Sequence, residues 1–457
     1  MKIKLQKLGL WTAVLLALLL SAYGGRRWWK QQPYTVEFRQ AAVQIDAQGK
    51  IYERLLAGQL VPALEVLGNP AASRYPDCAM SFARNPWDLT VYDKRLFIGL
   101  GDSSNDGPSA NAGPVPVLTF EPEGTQFTHE AMLDEEQIDR FYSFGAELLI
   151  PGDDPRESWH WGNLYQRSPS GNWQKFRNLP RTIHTHALAL HQGQLFAGVS
   201  VTDAVPAGVG SERYGSAVAI SPDQGHSWQL LTLGGWRIFD FLQVQGRLYA
   251  TDVFPGPGMQ RWLDTEQRQT YHAGVYEYAA DGQFQRRLDL NAEVLFPQAP
   301  LVGRRLAFVQ HAAAWKQGSV YIGAFAAPVG VTAVRYAYWA RNLDPYQVDV
   351  QPLAMPAGAI AWDLMVEKNE MLLLLATPLP EGRWRNSVQA SPDGTTWHEL
   401  LHFEAPTFAR AFVRWGDDLY FGLGISSPPR TGECTLAQQV SGSLLRARGV
   451  LLKEAHP

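Results

Sequence analysis

Short apolar segments alternate with polar turns along most of the chain, a pattern typical of antiparallel β-strands rather than of amphipathic helices. Seven of these segments follow a turn that contains Gly, Asn or Asp, and each begins with an aliphatic residue, as in Leu-Phe-Ile-Gly. They start at Leu96, Leu148, Leu195, Leu248, Val320, Leu372 and Leu419. Because successive starts lie roughly 50 residues apart, the sequence carries seven copies of a strand–turn–strand unit.

A repeat of this length fits one four-stranded blade of a β-propeller, and a ring of blades buries faces that a single blade leaves exposed. We therefore predict an all-β fold: a seven-bladed propeller over residues 85–457, after an N-terminal helix (1–30) and a lead-in segment (31–84). Within the lead-in, the stretch from Lys50 to Leu67 favours a helix interrupted at Pro62. A β-sandwich followed by a second all-β domain is the alternative, and the regular spacing argues against it.

A second repeated motif lies in the later half of several units. Residues 221–228 read SPDQGHSW, residues 391–397 read SPDGTTW, and residues 168–173 read the weaker SPSGNW. The first copy matches the Asp-box pattern S-x-D-x-G-x-[ST]-W, so the chain resembles the Asp-box (BNR-repeat) propellers, a group that includes the sialidases. We interpret Asp223 and Asp393 as structural, because such side chains stabilise tight hairpins through local bonds to the backbone. The resemblance implies that these turns lie on the outer rim.

The N-terminus combines basic and apolar segments. Lys2, Lys4 and Lys7 precede an apolar run from Leu8 to Tyr23, which is the form of a signal sequence. Two arginines, two tryptophans and a lysine follow at 26–30, and tryptophans there suit a membrane–water interface. An uncleaved membrane anchor and a cleaved signal peptide both place the body outside the cytoplasm; a buried helix is the remaining alternative.

Composition supports these expectations and excludes one class of partner. The chain has 457 residues, of which 46% are hydrophobic and 18% charged, and its net charge is −4. No basic stripe suggests nucleic acid. Cys78 and Cys434 are the two cysteines. In an exported protein they are expected to join the first and last blades through a disulfide, with two unrelated buried thiols as the alternative.

The long loops follow the second strands and share one face with the loops that enter the blades, whereas tight turns occupy the opposite face. Function concentrates on long loops held by a rigid scaffold. Sugar recognition needs flat apolar faces and fixed polar groups, and these loops and the adjoining first strands supply both. The candidate ligand-binding residues are Asp102, Asp106, Asp153, Asp154, Arg156, Trp159, His160, His186, Arg213, His311 and Trp362.

Equivalent positions in the first strands form a further pattern, eight or nine residues before each second strand. Asp88, Asp240 and Asp363 occupy this place, and Arg140 and Arg410 lie within one residue of it. Directly before it are Trp87, His186, Phe239, His311 and Trp362. These positions are expected near the mouth of the central channel. The alternatives are that the aspartates cap turns between blades and that the histidines are hydrogen-bonded core residues.

Sialidase chemistry requires three arginines, a Tyr–Glu pair and an acidic residue, and it is not recognisable as a motif here. Arg213, Arg261, Arg335 and Arg341 are candidate arginines and Tyr214, Tyr271 and Tyr336 candidate tyrosines, but the Arg-Ile-Pro signature is absent. A hydrolase or lyase that uses a carboxylate pair is a further alternative.

Metal binding has only weak sequence support. Asp102, Ser104 and Asp106 precede Gly107 as at the start of a calcium loop, but Gly113 stands where the bidentate Glu belongs. His184 and His186 are two zinc-ligand candidates without an identifiable third. We therefore expect no cofactor, with calcium as an alternative.

Two function classes follow from the sequence. One is a glycan-directed site, binding or cleaving, on the long-loop face. The other is a non-enzymatic scaffold in the cell envelope, whose protein partner the sequence does not identify.

Overall fold

The computed structural model describes residues 35–36, 64–104, 107–121, 126–202, 214–255, 273–326, 333–367, 369–429 and 434–450. The predicted N-terminal helix (1–30) lies outside these ranges. Within them, no helix is long and apolar enough to cross a membrane.

The strands form seven antiparallel sheets, each built on four strands of one blade. The first two strands of the chain are β1 (Thr35–Val36) and β2 (Leu64–Gly68). Blade 1 contains β3 (Asp88–Tyr92), β4 (Arg95–Gly99), β5 (Val115–Phe120) and β6 (Phe127–Leu133). The next residues form β7 (Glu135–Gln137). Blade 2 contains β8 (Tyr142–Phe144), β9 (Glu147–Pro151), β11 (Trp161–Arg167) and β12 (Trp173–Pro180), with β10 (Asp153–Pro155) between its second and third strands.

The remaining blades follow in chain order. Blade 3 contains β13 (Thr182–His191), β14 (Gln194–Thr202), β15 (Tyr214–Ser221) and β16 (Gln229–Thr232). Blade 4 contains β17 (Ile238–Val244), β18 (Arg247–Asp252), β20 (Val275–Tyr278) and β21 (Phe284–Arg287), with β19 (Phe254–Pro255) after its second strand. Blade 5 contains β22 (Leu306–Trp315), β23 (Gly318–Ala326), β24 (Val334–Asp344) and β25 (Gln347–Pro352).

Blade 6 contains β26 (Ile360–Glu367), β27 (Glu370–Pro378), β28 (Trp384–Ser391) and β29 (His398–Ala405). Blade 7 contains β30 (Phe408–Trp415), β31 (Asp418–Gly424) and β32 (Leu444–Ala447). The helical segments are short: two 3₁₀ turns at Cys78–Arg84 and Pro380–Gly382, α1 (Ala292–Leu295) and α2 (Leu436–Val440). All seven repeated segments of the sequence lie in the second strands of the blades, so the predicted seven-bladed propeller is confirmed.

The core is distributed between the blades. In the described part of the chain, seven buried hydrophobic clusters each combine side chains of two neighbouring blades, and one of them joins blade 7 to blade 1. Each blade therefore removes apolar surface from water on both of its faces, which is the main stabilising contribution to the ring.

Blade 7 obtains its fourth strand from the N-terminal side of the chain. β2 pairs antiparallel with β32, with Leu64 opposite Ala447. The helix expected up to Leu67 is therefore wrong from Leu64 onward, because sheet pairing at the ring closure decides the backbone there. Cys78 and Cys434 form a disulfide across the same closure, with Cα atoms 5.6 Å apart.

The two full hairpin motifs hold their turns through local bonds. Asp223 accepts hydrogen bonds from the backbone N–H (2.8 Å) and hydroxyl (2.6 Å) of Ser227. Asp393 accepts them from the backbone N–H groups of Thr395 and Thr396. Both aspartates therefore serve the hairpin between the third and fourth strands of their blades.

Candidate functional site

β-Bulges aim five side chains at the propeller axis. The strand register skips one residue in the first strand of each of blades 4 to 7 and two residues, Ile183 and His186, in that of blade 3. One skipped residue of each blade faces the axis. These five residues are His186, Phe239, His311, Trp362 and Arg410. A bulge turns its extra residue out of the regular alternation, and here all five line one cavity.

This central cavity, of about 80 Å³, lies where the first strands converge. Its lining consists of Trp87, Asp139, Arg140, His186, Phe239, Gln310, His311, Arg335, Trp362 and Arg410. Two of the lining side chains contact buried carboxylates behind the cavity wall: Arg140 Nη1 lies 2.9 Å from Asp240 Oδ2, and His311 Nδ1 lies 2.8 Å from Asp363 Oδ1. His186 Nε2 lies 2.9 Å from Ser200 Oγ, and burial holds the pKa of its imidazole well below the usual range.

A larger space, the face pocket, opens beside the central cavity on the long-loop face. It has a volume of about 690 Å³. Its lining consists of Ser103, Ser104, Asn111, Glu136, Asp139, Asp153, Asp154, Pro155, Glu157, Trp159, Ile183, His184, His186, Arg237 and Phe239. These residues come from blades 1 to 4, and Asp139, His186 and Phe239 line both spaces, so the two spaces adjoin.

Short strands at the mouth position the acidic wall of the face pocket. β10 pairs with both β7 and β13, which places Asp153 opposite Gln137 on one side and His184 on the other. The Asp153 carboxylate is buried and lies 3.0 Å from His184 Nδ1. Burial alone raises the pKa of Asp153, but the hydrogen bond and charge of His184 outweigh it and lower the pKa to about 2.

In two other carboxyl groups of the face pocket, the pKa is raised rather than lowered. Burial, reinforced by the charge of Asp153, raises the pKa of Asp139 to about 7. Burial and the charge of Asp154 likewise raise the pKa of Glu136 to about 8. At neutral pH the pocket therefore combines an ionised Asp153 with carboxyl groups that retain protons, which is the arrangement that acid–base catalysis uses.

The β9–β11 connection supplies the outer wall. Asp154 and Trp159, two of the candidate residues from the sequence, line the face pocket. Arg156 is exposed beside it, with Nη1 donating to Asn111 O (2.9 Å). His160 is exposed and is not part of the lining.

Asp102, another residue proposed from the sequence, lines neither space. Asp102 is buried and accepts hydrogen bonds from the hydroxyls of Ser104 and Ser109, both at 2.6 Å, so it supports the loop behind the pocket. Asp106 and Arg213 lie outside the described residues. Over the ranges that the structure describes, no three His, Cys, Asp or Glu side chains form a metal-binding group.

Glu136, Asp139 and Arg237 belong to the face pocket but were not singled out in the sequence. Glu136 ends an acidic run, Asp134–Glu135–Glu136, and Asp139 directly precedes the channel position Arg140. The acidic run is the sequence feature that could have indicated a polar site at this place. Arg237 is placed by the buried Asp252, whose carboxylate accepts the N–H of Arg237 at 3.0 Å.

No protein-family profile matches the chain, and no curated protein matches its sequence. Among solved structures, the WD40 domain of Neurospora crassa Pan2 aligns over 84% of this chain and 95% of its own, with 8% identity and a TM-score of 0.48. A Penicillium chrysogenum α-L-arabinanase complexed with arabinobiose aligns over 79% and 92%, with 11% identity and a TM-score of 0.37. Trypanosoma rangeli sialidase aligns over 57% and 46%, with 12% identity and a TM-score of 0.32. The propeller assignment therefore rests on the sheets of the chain itself.

Proposed function

We propose that the chain is an extracytoplasmic, glycan-directed propeller whose site is the face pocket, and that Asp139 and Asp153 give this site glycosidic-bond-cleaving chemistry. The observation that carries the proposal is the presence of two carboxyl groups, the buried Asp153 and the half-buried Asp139, with divergent pKa values in one open pocket. Glycoside hydrolysis uses such a pair, one protonated to donate to the leaving oxygen and one ionised.

The remaining lining suits a carbohydrate. Trp159 offers a flat apolar face, while Ser103, Asn111 and Asp154 offer hydroxyl, amide and carboxylate groups to sugar hydroxyls. In this proposal Asp139 is the general acid. Asp153, held ionised by His184, acts as the base or stabilises positive charge at the anomeric carbon. Glu136 and Arg237 complete a polar rim around the substrate.

The test uses the full-length protein and fluorophore-labelled oligosaccharides, first as a binding array with and without calcium and then in solution for shortened products. We expect Trp159→Ala to weaken binding about tenfold, since a stacked ring contributes roughly 1–2 kcal/mol. Asp139→Asn and Asp153→Asn are expected to retain binding and lose cleavage. Trp161→Ala is the matched control, because Trp161 is exposed and outside the lining.

An array without binding in either condition would contradict the proposal. Cleavage that survives in both carboxyl variants would refute the catalytic roles of Asp139 and Asp153. Binding without any cleavage by the wild type would leave binding alone as the function of the pocket.

A second candidate function rests on an apolar groove between blades 5 and 6. It has a volume of about 620 Å³ and is lined by Pro297, Gln298, Val334, Tyr336, Tyr338, residues 352–360 and Pro378. A groove of this kind favours the envelope-scaffold alternative, in which a protein segment docks there. Replacement of Tyr336 by Ser would then reduce recovery of a partner from cross-linked envelopes, whereas Trp159→Ala would not.

A further inference from the structure

Two arginines in the central cavity stack on tryptophans. The guanidinium carbon of Arg410 lies 3.6 Å from the ring centroid of Trp87 and 5.5 Å from that of Trp362. That of Arg335 lies 4.2 Å from the centroid of Trp362. Arg335 comes from β24 of blade 5 and Arg410 from β30 of blade 7, so both cations share the Trp362 ring.

Neither guanidinium has a carboxylate partner within 4.0 Å among the described residues. Arg335 Nε donates to Gln310 Oε1 at 3.3 Å, and Arg410 Nη1 donates to Ile425 O at 3.3 Å. Each guanidinium has five N–H groups, so most of its donors are unused by these contacts. The indole Nε1 of Trp362 is buried and also lacks an acceptor in the described part of the protein.

This arrangement is unfavourable when the cavity holds only water. Burial lowers the pKa of Arg335 to about 10, and burial together with the charge of Arg335 lowers that of Arg410 well below its ordinary value. The other cationic side chain of the lining, Arg140, is paired with Asp240. Asp139 acts on Arg410 through its charge but forms no ion pair with it. An anion between the two arginines would relieve their repulsion and accept their free N–H groups.

We propose that the central cavity binds the anionic group, a carboxylate or sulfate ester, of an acidic glycan whose adjoining sugar occupies the face pocket. This inference rests on the proposed glycan function of the face pocket. The volume of about 80 Å³ holds a few water molecules or one compact anion, but no sugar ring. Because Asp139, His186 and Phe239 line both spaces, the ring and its anionic substituent occupy adjoining compartments.

The test compares three trisaccharides of equal length by calorimetry on the full-length protein: a galacturonic acid oligomer, a sulfated galactose oligomer and a neutral galactose oligomer. We expect one of the acidic probes to bind at least about tenfold more tightly than the neutral one, since charge-assisted hydrogen bonds contribute roughly 1.5–3 kcal/mol. Arg335→Gln and Arg410→Gln each remove this preference and change neutral binding less than about twofold. The two acidic arms distinguish carboxylate from sulfate.

Arg414→Gln is the matched control, because it lies on the same strand as Arg410 but pairs with Glu367 outside the cavity. Arg410→Lys, which keeps the charge, controls for misfolding of the Gln variant. It is expected to retain part of the preference for acidic over neutral trisaccharides. Equal binding of acidic and neutral probes in all variants would overturn the inference while leaving the glycan function intact. Binding of inorganic sulfate with no binding of any trisaccharide would overturn both.

Discussion

The side chain of Asp363 joins blades 6 and 7, because its Oδ2 accepts a 2.9 Å hydrogen bond from the backbone N–H of Phe412. Asp240 accepts the same bond from Ala312 in the first strand of blade 5, and Asp88 accepts it from Phe141, directly before the first strand of blade 2. All three carboxylates are buried directly after the residue that lines the cavity. Of the interpretations that the sequence left open, the structure thus supports a link between blades for these aspartates.

Asp363→Ala should destabilise the propeller substantially. Loss of the carboxylate leaves the buried N–H groups of Phe412 and Leu364 without acceptors, at a cost of roughly 1–3 kcal/mol each. Asp349→Ala is the control, since it removes a carboxylate that pairs with Arg341 on a more exposed surface and is expected to cost less than about 1 kcal/mol. Urea unfolding of both variants measures the difference; equal losses would contradict the role of Asp363.

The blades could be predicted from the sequence because each is a local unit. The strand that contains Leu96, for example, pairs with the strands directly before and after it in the chain, and its apolar pattern is repeated in every blade. Closure of the ring could not be predicted in the same way. β2 pairs with a strand near the other end of the chain, and the residues before Leu64 suggested a helix.

The candidate site was predictable only in part, for a similar reason. His186 and Trp362 sit at a position that the repeat itself marks, so their place at the axis followed from the spacing. Glu136 lies in β7, which has no counterpart among the described strands of the other blades, and Asp139 directly precedes Arg140 at the repeated position, where its acidic side chain differs from the aromatic residues of blades 1 and 3 to 6. Their position over Asp153 depends on pairing of β7 with β10, a contact that no local pattern reveals.

The disulfide is expected to contribute strongly to stability. Cys78 and Cys434 are separated by 356 residues, so the bond restricts a very large loop in the unfolded chain, worth roughly 6 kcal/mol in the chain-entropy model. The double variant Cys78→Ser/Cys434→Ser should therefore unfold at lower urea concentration. Because β2 still pairs with β32, the variant should remain folded, with an unchanged β-sheet circular dichroism spectrum. A thiol reductant should lower the urea midpoint of the wild type to that of the variant and leave the midpoint of the variant unchanged.

Gly235→Ala should disrupt the wall of the face pocket. A Cβ at this position would lie 1.3 Å from Asp252 Oδ2, the carboxylate that positions the backbone of Arg237. We expect a loss of about 2–4 kcal/mol and weaker glycan binding, because the buried carboxylate must move. At Gly215 a Cβ would meet only Val201, at 3.7 Å, so Gly215→Ala is the control. If both variants lost the same free energy of unfolding, the close contact between the new Cβ and Asp252 would not be the cause of the loss.

Glu135 makes the stability of the protein depend on pH. Burial raises the pKa of its carboxyl from 4.5 to about 8, against hydrogen bonds from Asn163 and Tyr165 that lower it. Between these values the folded state holds a proton that the unfolded state has released, so stability falls as pH rises from about 4.5 to 8. Glu135→Gln stays neutral throughout. Its free energy of unfolding should decline less steeply over this window, by up to about 1.4 kcal/mol per pH unit.

Chemical denaturation at several pH values measures this slope, with the exposed Glu381→Gln as the control. A variant slope identical to that of the wild type would show that Glu135 titrates normally in the folded protein.

Cleavage of a glycan in the face pocket should fail on the alkaline side. The reaction requires a protonated Asp139, whose pKa is raised to about 7 by burial, and an ionised Asp153, whose pKa is held at about 2 by His184. The rate is therefore expected to be constant between about pH 4 and 6 and to fall about tenfold per pH unit above pH 7.

Asp139→Asn should lower kcat by about 10²–10⁴ and abolish this alkaline limb, the fall in rate above pH 7. Glu136→Gln should keep the limb, although Glu136 lines the same pocket, and the exposed Asp281→Asn should behave as the wild type. If the fall in rate above pH 7 disappeared in Glu136→Gln but persisted in Asp139→Asn, the general acid would be Glu136 instead.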